Sequence, residues 1–339
     1  MNRKTLIAIL CASCVGAGSA AAEPAFRVAK WKHDAKCAVS LYYDDGTDSA
    51  FQYVCDALVR RSIPGTFYLI CGQAPEEVSP KTERWRKVAT EHRGIIVLGD
   101  HTWLHGGTTN AAQFAADIAR NGALVRELSG LPPTALVSFA RPGGVKWEIT
   151  DEEEETVLAA HGELKRHDFG PCIAGPERWR MNTAAKALAH VDKAEADGRW
   201  QPLLFHGVGA DWFNFPAAEH ERLLAELDLR RAAGRVWPGS TIEVQKYAAE
   251  RDGARLEPAA AAGKGDIAAA VLSFSTDPAL YDEPLTVVLE DVPGARDSVV
   301  VRIGSGDSAT VLRSAVLDGR AVFNVAPVSG SVSITVSEK

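Results

Sequence analysis

Two histidines stand four positions apart in Gly99–Gly107 (GDHTWLHGG), directly after the apolar run Ile95–Leu98. Histidine is scarce, nine in 339 residues, so the pair His101 and His105 is a candidate metal clamp. If the segment forms one helical turn, positions i and i+4 share a side and both imidazoles can meet one ion. Asp44–Asp45–Gly46 ends another apolar run and offers a carboxylate to complete a set of two histidines and one aspartate. Three protein ligands leave positions open for water and substrate, which is the pattern of a catalytic metal rather than a structural one. At a strand-to-loop corner both aspartates can reach one cleft, one as ligand and the other as base on the water. Arg141, in Arg141–Pro142–Gly143–Gly144, is a cation that could orient the base and lower its pKa. His206 ends the run Pro202–His206 and could protonate a leaving group. Singly, each group also has an ordinary reading, as a turn, a cap, a solvated helix face or a loop residue. Jointly they describe metal-assisted hydrolysis of an amide or ester.

Such groups must be carried to one place, and parallel α/β folds do so at the C-terminal ends of their strands. Cys37–Tyr43, "TFYLI", "GIIVLG", "ALVSFA" and "PLLFH" read as buried strands. Phe51, Val54, Cys55, Leu58 and Val59 mark one helix face, and Phe114, Ile118, Val125 and Leu128 mark another on a helix from about Asn110. Thr150 and Glu153 form a capping box, and Gly162 is placed to end that helix. A Leu-rich helix spans about 216–233, and Ser240 with Glu243 opens a last helix through Tyr247. This β-then-α rhythm implies a mostly parallel sheet covered by helices. Between about 163 and 200 the pattern is too weak to place strands.

From about residue 266 the texture changes to short strand-length runs separated by Gly, Pro, Asp and Ser, which imply a small β-sandwich. That part has no His and no Cys, so the chemistry belongs to the first part. Glu257–Pro258, an alanine run and Gly263–Lys264–Gly265 read as a linker. The expected organisation is a signal peptide over 1–22, a catalytic domain over 23–252, a linker over 253–265 and a β-sandwich over 266–339.

Arg3 and Lys4, the apolar stretch Thr5–Gly18 and the small residues Ser19–Ala22 have the order of a secretory signal. The stretch is too short for a good membrane span. Cys11 stands where a lipoprotein signal usually has Leu, which argues against a lipid anchor at Cys14. An exported protein, periplasmic or secreted, is the expectation. Removing residues 1–22 takes away Arg3 and Lys4 and no acid, moving the formal charge from −7 to −9. That charge argues against nucleic acid or an anionic membrane surface as partner. Cys37, Cys55, Cys71 and Cys172 remain, either as disulfides with three full pairings open or as small buried hydrophobes.

In this order, the residues resemble the polysaccharide deacetylases of the NodB-homology type, carbohydrate esterase family 4, over roughly residues 30–250. Tyr42–Tyr43–Asp44–Asp45–Gly46 is similar to the family's T-F-D-D-G motif, and His101–Thr102–Trp103–Leu104–His105 fits H-[ST]-x-x-H. Arg141–Pro142–Gly143–Gly144 keeps part of R-x-P-Y, and Leu203–Leu204–Phe205–His206 fits the apolar strand ending in His. The D-x-x-D-W motif has no counterpart: Asp192, Asp197 and Trp200 lie in its region without its spacing. The resemblance implies an irregular (β/α)7 barrel. It implies Asp45, His101 and His105 as ligands of a divalent metal, zinc or alternatively cobalt, whose bound water is the nucleophile. It implies Asp44 as general base, Arg141 as its orienting cation, His206 as general acid, and the Gly144 N–H as an oxyanion donor. Trp103, Trp147, Trp212 and Trp237 are candidate sugar-stacking residues, with Trp103 closest to the ligands in sequence; packing is the alternative for each.

The expected function is an exported N-deacetylase of an amino-sugar poly- or oligosaccharide. The alternatives are an O-acetyl esterase on xylan-like glycans with the same site, and a catalytically impaired carbohydrate-binding protein. The partner is an acetylated carbohydrate; the sequence does not fix the oligomeric state.

Overall fold

The computed structural model describes residues 24–167, 170–172, 180–261, 263–294 and 296–338. The expected signal segment, with Cys11 and Cys14, lies outside the described residues. Among the described residues, no helix is long and apolar enough to cross a membrane.

Seven strands form a parallel sheet: β1 (Cys37–Tyr43), β2 (Gly65–Leu69), β3 (Ile96–Asp100), β4 (Val137–Phe139), β5 (Glu163–Lys165), β6 (Trp200–Phe205) and β7 (Val236–Pro238). They alternate with α1 (Cys55–Arg61), α2 (Thr82–Glu91), α3 (Ala111–Ser129), α4 (Asp151–Ala160), α5 (Ala184–Asp197), α6 (Ala217–Ala232) and α7 (Thr241–Gly253). The irregular barrel-like (β/α) domain expected from the sequence is present. Its centre is β1. One edge of β1 carries β6 from Ala38 to Tyr43; the other is divided between β7, along Cys37–Val39, and β2, along Leu41–Tyr43. Beyond β2 follow β3, β4 and β5.

β1 is apolar or aromatic at almost every position because both its faces are buried. Cys37, Val39, Leu41 and Tyr43 face the helices, in one core with Phe67, Leu98, Leu203 and Phe205. The alternate residues turn inward, where Tyr42, Tyr68, Ala140 and Leu204 form a smaller cluster. The inner space is partly polar: the Tyr68 hydroxyl lies 2.9 Å from Ser138 Oγ and donates to Thr241 Oγ1 at 3.1 Å. Gly99 on β3 makes room for Tyr68, since a Cβ there would come 2.7 Å from its ring.

The capping signals act where expected. Thr150 with Glu153 opens α4, Ser240 with Glu243 opens α7, and Asn110 accepts from the Gln113 N–H at the start of α3. β5 and α5 fall in the stretch that the pattern leaves blank. β5 offers one Leu among charged residues, and α5 is Ala-rich with a narrow apolar face.

The second part is an eight-stranded antiparallel sheet folded over one core. Thr310–Leu317 passes between its layers, pairing Ser298–Ile303 through Thr310–Ala315 and Arg320–Val325 through its last two residues. Two boundaries differ from the sequence expectation. Residues expected as linker form a strand, Arg255–Ala259, paired with Asp266–Phe274. Ala25–Val28, placed by sequence in the catalytic domain, pairs with Leu285–Glu290 of the sandwich. Short edge strands with little alternation, such as Arg255–Ala259 with its proline, carry almost no periodic signal.

The two parts share apolar packing. Trp31, Ala38, Trp237, Val244 and Tyr247 from the barrel side lie in the same cluster as Leu272, Leu285, Val287 and Phe323. Tyr247 donates its hydroxyl to the Ala29 carbonyl at 2.9 Å. Among the described residues, Cys37, Cys55, Cys71 and Cys172 are free thiols, the first three buried, and burial pushes the Cys37 and Cys55 thiols up to about 12.

Two outcomes follow from this packing. A chain ended after Gly253 uncovers Trp31, Trp237 and Tyr247, and it is expected to lose its cooperative thermal transition or to melt more than about 10 °C lower by far-UV circular dichroism. An unchanged melting temperature would show that the barrel does not depend on the sandwich. The second concerns His220 on α6, which is fully buried with Nε2 2.7 Å from the Tyr43 hydroxyl. Burial, helped by Arg61, holds its imidazole down at about 3. Below about pH 6.5 the unfolded chain takes up a proton that native His220 refuses, so stability is complete above that pH and falls toward pH 3, by up to ~1.4 kcal/mol per pH unit. Urea midpoints between pH 7 and pH 4 are expected to fall less steeply in His220→Gln; parallel curves would refute this role.

Candidate active site

Asp44 and Asp45 follow β1 directly, and the backbone explains how neighbours reach one cleft. Strand alternation carries Tyr42 inward, Tyr43 outward and Asp44 inward again. Asp45 then adopts φ +70° and Gly46 φ +56°, so the chain leaves strand geometry at this corner. A left-handed aspartate stores strain of a kind that concentrates at functional positions.

The two histidines converge by a different device from the one expected. Residues 101–107 form a loop, not a helical turn. Thr102 at φ +64° and His105 at φ +54° bend that loop back on itself. Asp100, at the end of β3, holds the bend: its Oδ1 accepts from the Thr102 N–H at 2.7 Å and from Asn121 Nδ2 at 2.8 Å. Burial raises the Asp100 carboxyl to about 7. The His101 imidazole has Nδ1 2.8 Å from the Ala140 carbonyl. That contact makes Nδ1 the donor and turns Nε2 toward Asp45.

His101 Nε2 lies 3.3 Å and His105 Nε2 3.6 Å from Asp45 Oδ1. The three ligand atoms are all within 4.8 Å of one another. Asp45 Oδ1 is buried and has no hydrogen-bond partner. With its Nδ1 proton committed to Ala140, His101 presents a lone pair to a carboxylate oxygen, and two acceptors facing each other need a proton or a cation between them. The donor set of two imidazoles and one carboxylate therefore fits a divalent ion of the zinc type.

Asp44 is paired with a cation, and that cation is Arg166. The guanidinium grips the carboxylate through two bonds, Nη1 to Oδ1 at 2.6 Å and Nη2 to Oδ2 at 3.0 Å, with both side chains buried. The Tyr42 and Tyr68 rings lie 5.4 and 4.8 Å from the guanidinium carbon. Burial pushes the Asp44 carboxyl up, but Arg166, His101 and His206 bring it below its ordinary value. Arg141, expected in this place, instead pairs with Asp151 at 2.9 Å and with the buried Glu154, both on α4. The reason is local: the acidic first turn of α4 brings two carboxylates within reach of Arg141. Arg166 follows the short strand β5, in the stretch where periodicity gave no strand end to inspect. An arginine at the close of a sheet strand was the signal that could have found it.

His206 closes the cluster, with Nε2 4.0 Å from Asp45 Oδ2. Its Nδ1 is buried without a hydrogen-bond partner. Asp192 and Asp197 are engaged elsewhere, with Arg230 and Arg199. Trp103 is buried, with its indole N–H on the Ala74 carbonyl at 3.0 Å and Arg120 stacked on its ring, so it packs the loop and offers no face to a sugar. Trp147 packs on Phe114, and Trp237 lies in the core shared with the sandwich. Gly144 lies in an exposed loop at φ +71° with open space around it. Trp212 is the candidate platform that does reach the site: its indole N–H donates to Asp45 Oδ2 at 2.9 Å.

Residues 32–159 match the sequence profile of the family described as polysaccharide deacetylase. The resemblance in the motifs is thereby borne out over that stretch, which is similar to the polysaccharide deacetylases of carbohydrate esterase family 4. Among solved structures, it is similar to a family 4 carbohydrate esterase from Streptomyces lividans in complex with acetate, at 17% identity over 61% of this chain and 93% of that chain, with a TM-score of 0.42. It is similar to the peptidoglycan deacetylase PdaC from Bacillus subtilis, at 16% identity over 62% of this chain and 90% of that one, TM-score 0.41. It is also similar to a CE4 esterase of Streptococcus mutans, at 20% identity over 59% and 84%, TM-score 0.42. No curated protein matches it.

The two arginines can be told apart by stability. Arg166→Met leaves the Asp44 carboxylate buried and unpaired, and is expected to lose roughly 3–5 kcal/mol in urea unfolding. Arg141→Met leaves Glu154 with Lys165 as partner, and is expected to lose about 1–2 kcal/mol. Equal losses would overturn this assignment of partners.

Proposed function

We propose that this protein is an exported, metal-dependent N-deacetylase of an amino-sugar polysaccharide or oligosaccharide. The observation that carries the reading is the unpartnered Asp45 Oδ1, facing His101 Nε2 and His105 Nε2 within reach of a second aspartate that is held by its own arginine.

Asp45, His101 and His105 would hold the divalent ion, zinc or cobalt. Such an ion supplies Lewis acidity, acidifying water and drawing charge from the acetyl carbonyl. The protein's own residues handle the protons and the positioning. Asp44 is ionised near neutral pH because Arg166 offsets the cost of its burial. Arg166 occupies one direction of each carboxylate oxygen and leaves further lone pairs free. Oδ2 lies 3.9 Å from His101 Nε2, beside the ligand cluster, and would take the proton of the attacking water. His206 Nε2 sits on the other side of Asp45 and would protonate the departing sugar nitrogen. Arg141 has no part in this scheme; it braces the loop before α4. The Gly144 N–H remains a proposed oxyanion donor, in a loop with space for substrate around it.

Acetate release tests the reading. The zinc- or cobalt-loaded protein is expected to release acetate from N-acetylglucosamine oligomers faster than from O-acetylated xylan. Asp44→Asn is expected to lower the rate by roughly 10²–10⁴-fold while zinc content stays unchanged. Faster release from xylan would favour the O-acetyl esterase. Glycan binding with no acetate from any substrate would favour a carbohydrate-binding protein and end the enzyme reading.

A further inference from the structure

The loop that leaves β6, Gly207–Phe215, is built tightly and carries an unusual surface. Gly207 N–H donates to the Trp212 carbonyl at 3.0 Å, Phe215 N–H to the Gly207 carbonyl at 2.9 Å, and Gly209 N–H to the Phe215 carbonyl at 2.8 Å. Asp211 Oδ2 accepts from the Ser49 N–H at 2.7 Å and ties the loop to the segment after β1. A Cβ at Gly207 would come 2.1 Å from the Ala210 carbonyl oxygen, and one at Gly209 would come 2.8 Å from the Tyr53 ring. Asp211 and Phe213 hold φ of +62° and +47°, a strained conformation for non-glycine residues.

This rigid loop lifts Trp212 and Phe213 into solvent, each 52% exposed. Tyr53, against Gly209, is the other exposed large aromatic among the described residues. Exposed aromatic rings held in a strained backbone lower stability and contribute nothing to a core, so their place beside the Asp/His cluster calls for a ligand. The rings also touch the chemistry. The Trp212 N–H donates to Asp45 Oδ2, the oxygen not shared with the two histidines, and the Phe213 ring packs edge-on to His206 at 5.2 Å.

We propose that Trp212 is the substrate-positioning residue of this site: its N–H fixes the carboxylate plane of Asp45, and its exposed face, flanked by Phe213, stacks on the pyranose ring adjoining the acetyl group. The occupant follows from the surface offered. A flat apolar face with polar groups at its edge matches the C–H face of a pyranose, whose hydroxyls remain free to bond at the rim. The inference rests on the deacetylase reading for its substrate class, and it adds that the enzyme recognises a sugar ring as well as an acetyl group.

Three variants separate the two roles. Trp212→Phe keeps a stacking face and removes the N–H; Trp212→Ala removes both; Phe213→Ala removes the flank. In the Asp44→Asn background, where turnover is suppressed, binding of N-acetylglucosamine hexamer and acetylated xylo-oligosaccharide to the zinc-loaded protein is measured by calorimetry. Trp212→Ala is expected to weaken the better of the two ligands by roughly 10–100-fold, as for other stacked rings, with Phe213→Ala weakening it less and Trp212→Phe staying within about threefold. Zinc affinity, by chelator competition, is expected to fall about tenfold or more in both Trp212 variants and not in Phe213→Ala. Unchanged sugar binding in Trp212→Ala, or a parent that binds neither sugar, overturns the platform; unchanged zinc affinity in Trp212→Phe overturns the positioning role. A parent that binds the hexamer through Trp212 yet releases no acetate sinks the deacetylase reading while the platform stands.

Discussion

Arg166 and Asp44 bring opposite charges together with almost no water around either. Removing two such ions from water is expensive, and attraction offsets that only when the geometry is good and the remaining polar atoms are satisfied. Here the fork of the guanidinium meets both carboxylate oxygens, and two tyrosine rings lie against its cationic carbon. Those tyrosines point inward because β1 and β2 alternate, and Tyr68 fits because β3 offers Gly99 opposite it. The proposed base is thus set by the inside of the sheet. The ligand cluster, by contrast, is set by loops: left-handed turns at Asp45, Thr102 and His105 fold three donors onto one point.

The difference in origin explains what was legible in the sequence. Alternating buried strands and capped helices are repeated signals, and Cys37–Tyr43, the Thr150 box and the Ser240 box all mark elements found in place. His101 and His105 were visible as a pair, although their meeting depends on backbone angles that spacing does not encode. Arg166 was not visible, since β5 has three residues, two of them charged, and a single leucine sets no period. The arginine that the motif offers, Arg141, is drawn away by the carboxylates at the start of α4. A local ion pair redirected one residue, and a distant strand supplied its replacement. Among four candidate tryptophans, composition could not choose. Burial takes Trp103 and Trp237, packing holds Trp147, and the β6 loop leaves Trp212 open.

Sandwich and barrel are coupled through aromatic residues rather than joined by a tether. Trp31, Trp237 and Tyr247 belong to both, and a strand occupies the place where a flexible linker was expected. Relative motion of the two parts would have to expose these rings, so the sandwich acts on the site as a rigid support beneath the strands' N-terminal ends. Its covering of β1 and β7 at that end leaves the opposite end free for the groups gathered there.

The pairing of Ala25–Val28 with Leu285–Glu290 has a consequence for the order of events in folding. This strand is among the earliest parts of the described chain to be made, yet its partner emerges more than two hundred residues later. Contacts so far apart in sequence form slowly, because a long loop must close before they stabilise anything. During synthesis the first strand waits unpaired until Leu285–Glu290 has been made. The edge it leaves open, and the tryptophans beneath, stay uncovered until the last part of the chain arrives. Completion of this fold is therefore timed by its C-terminal part.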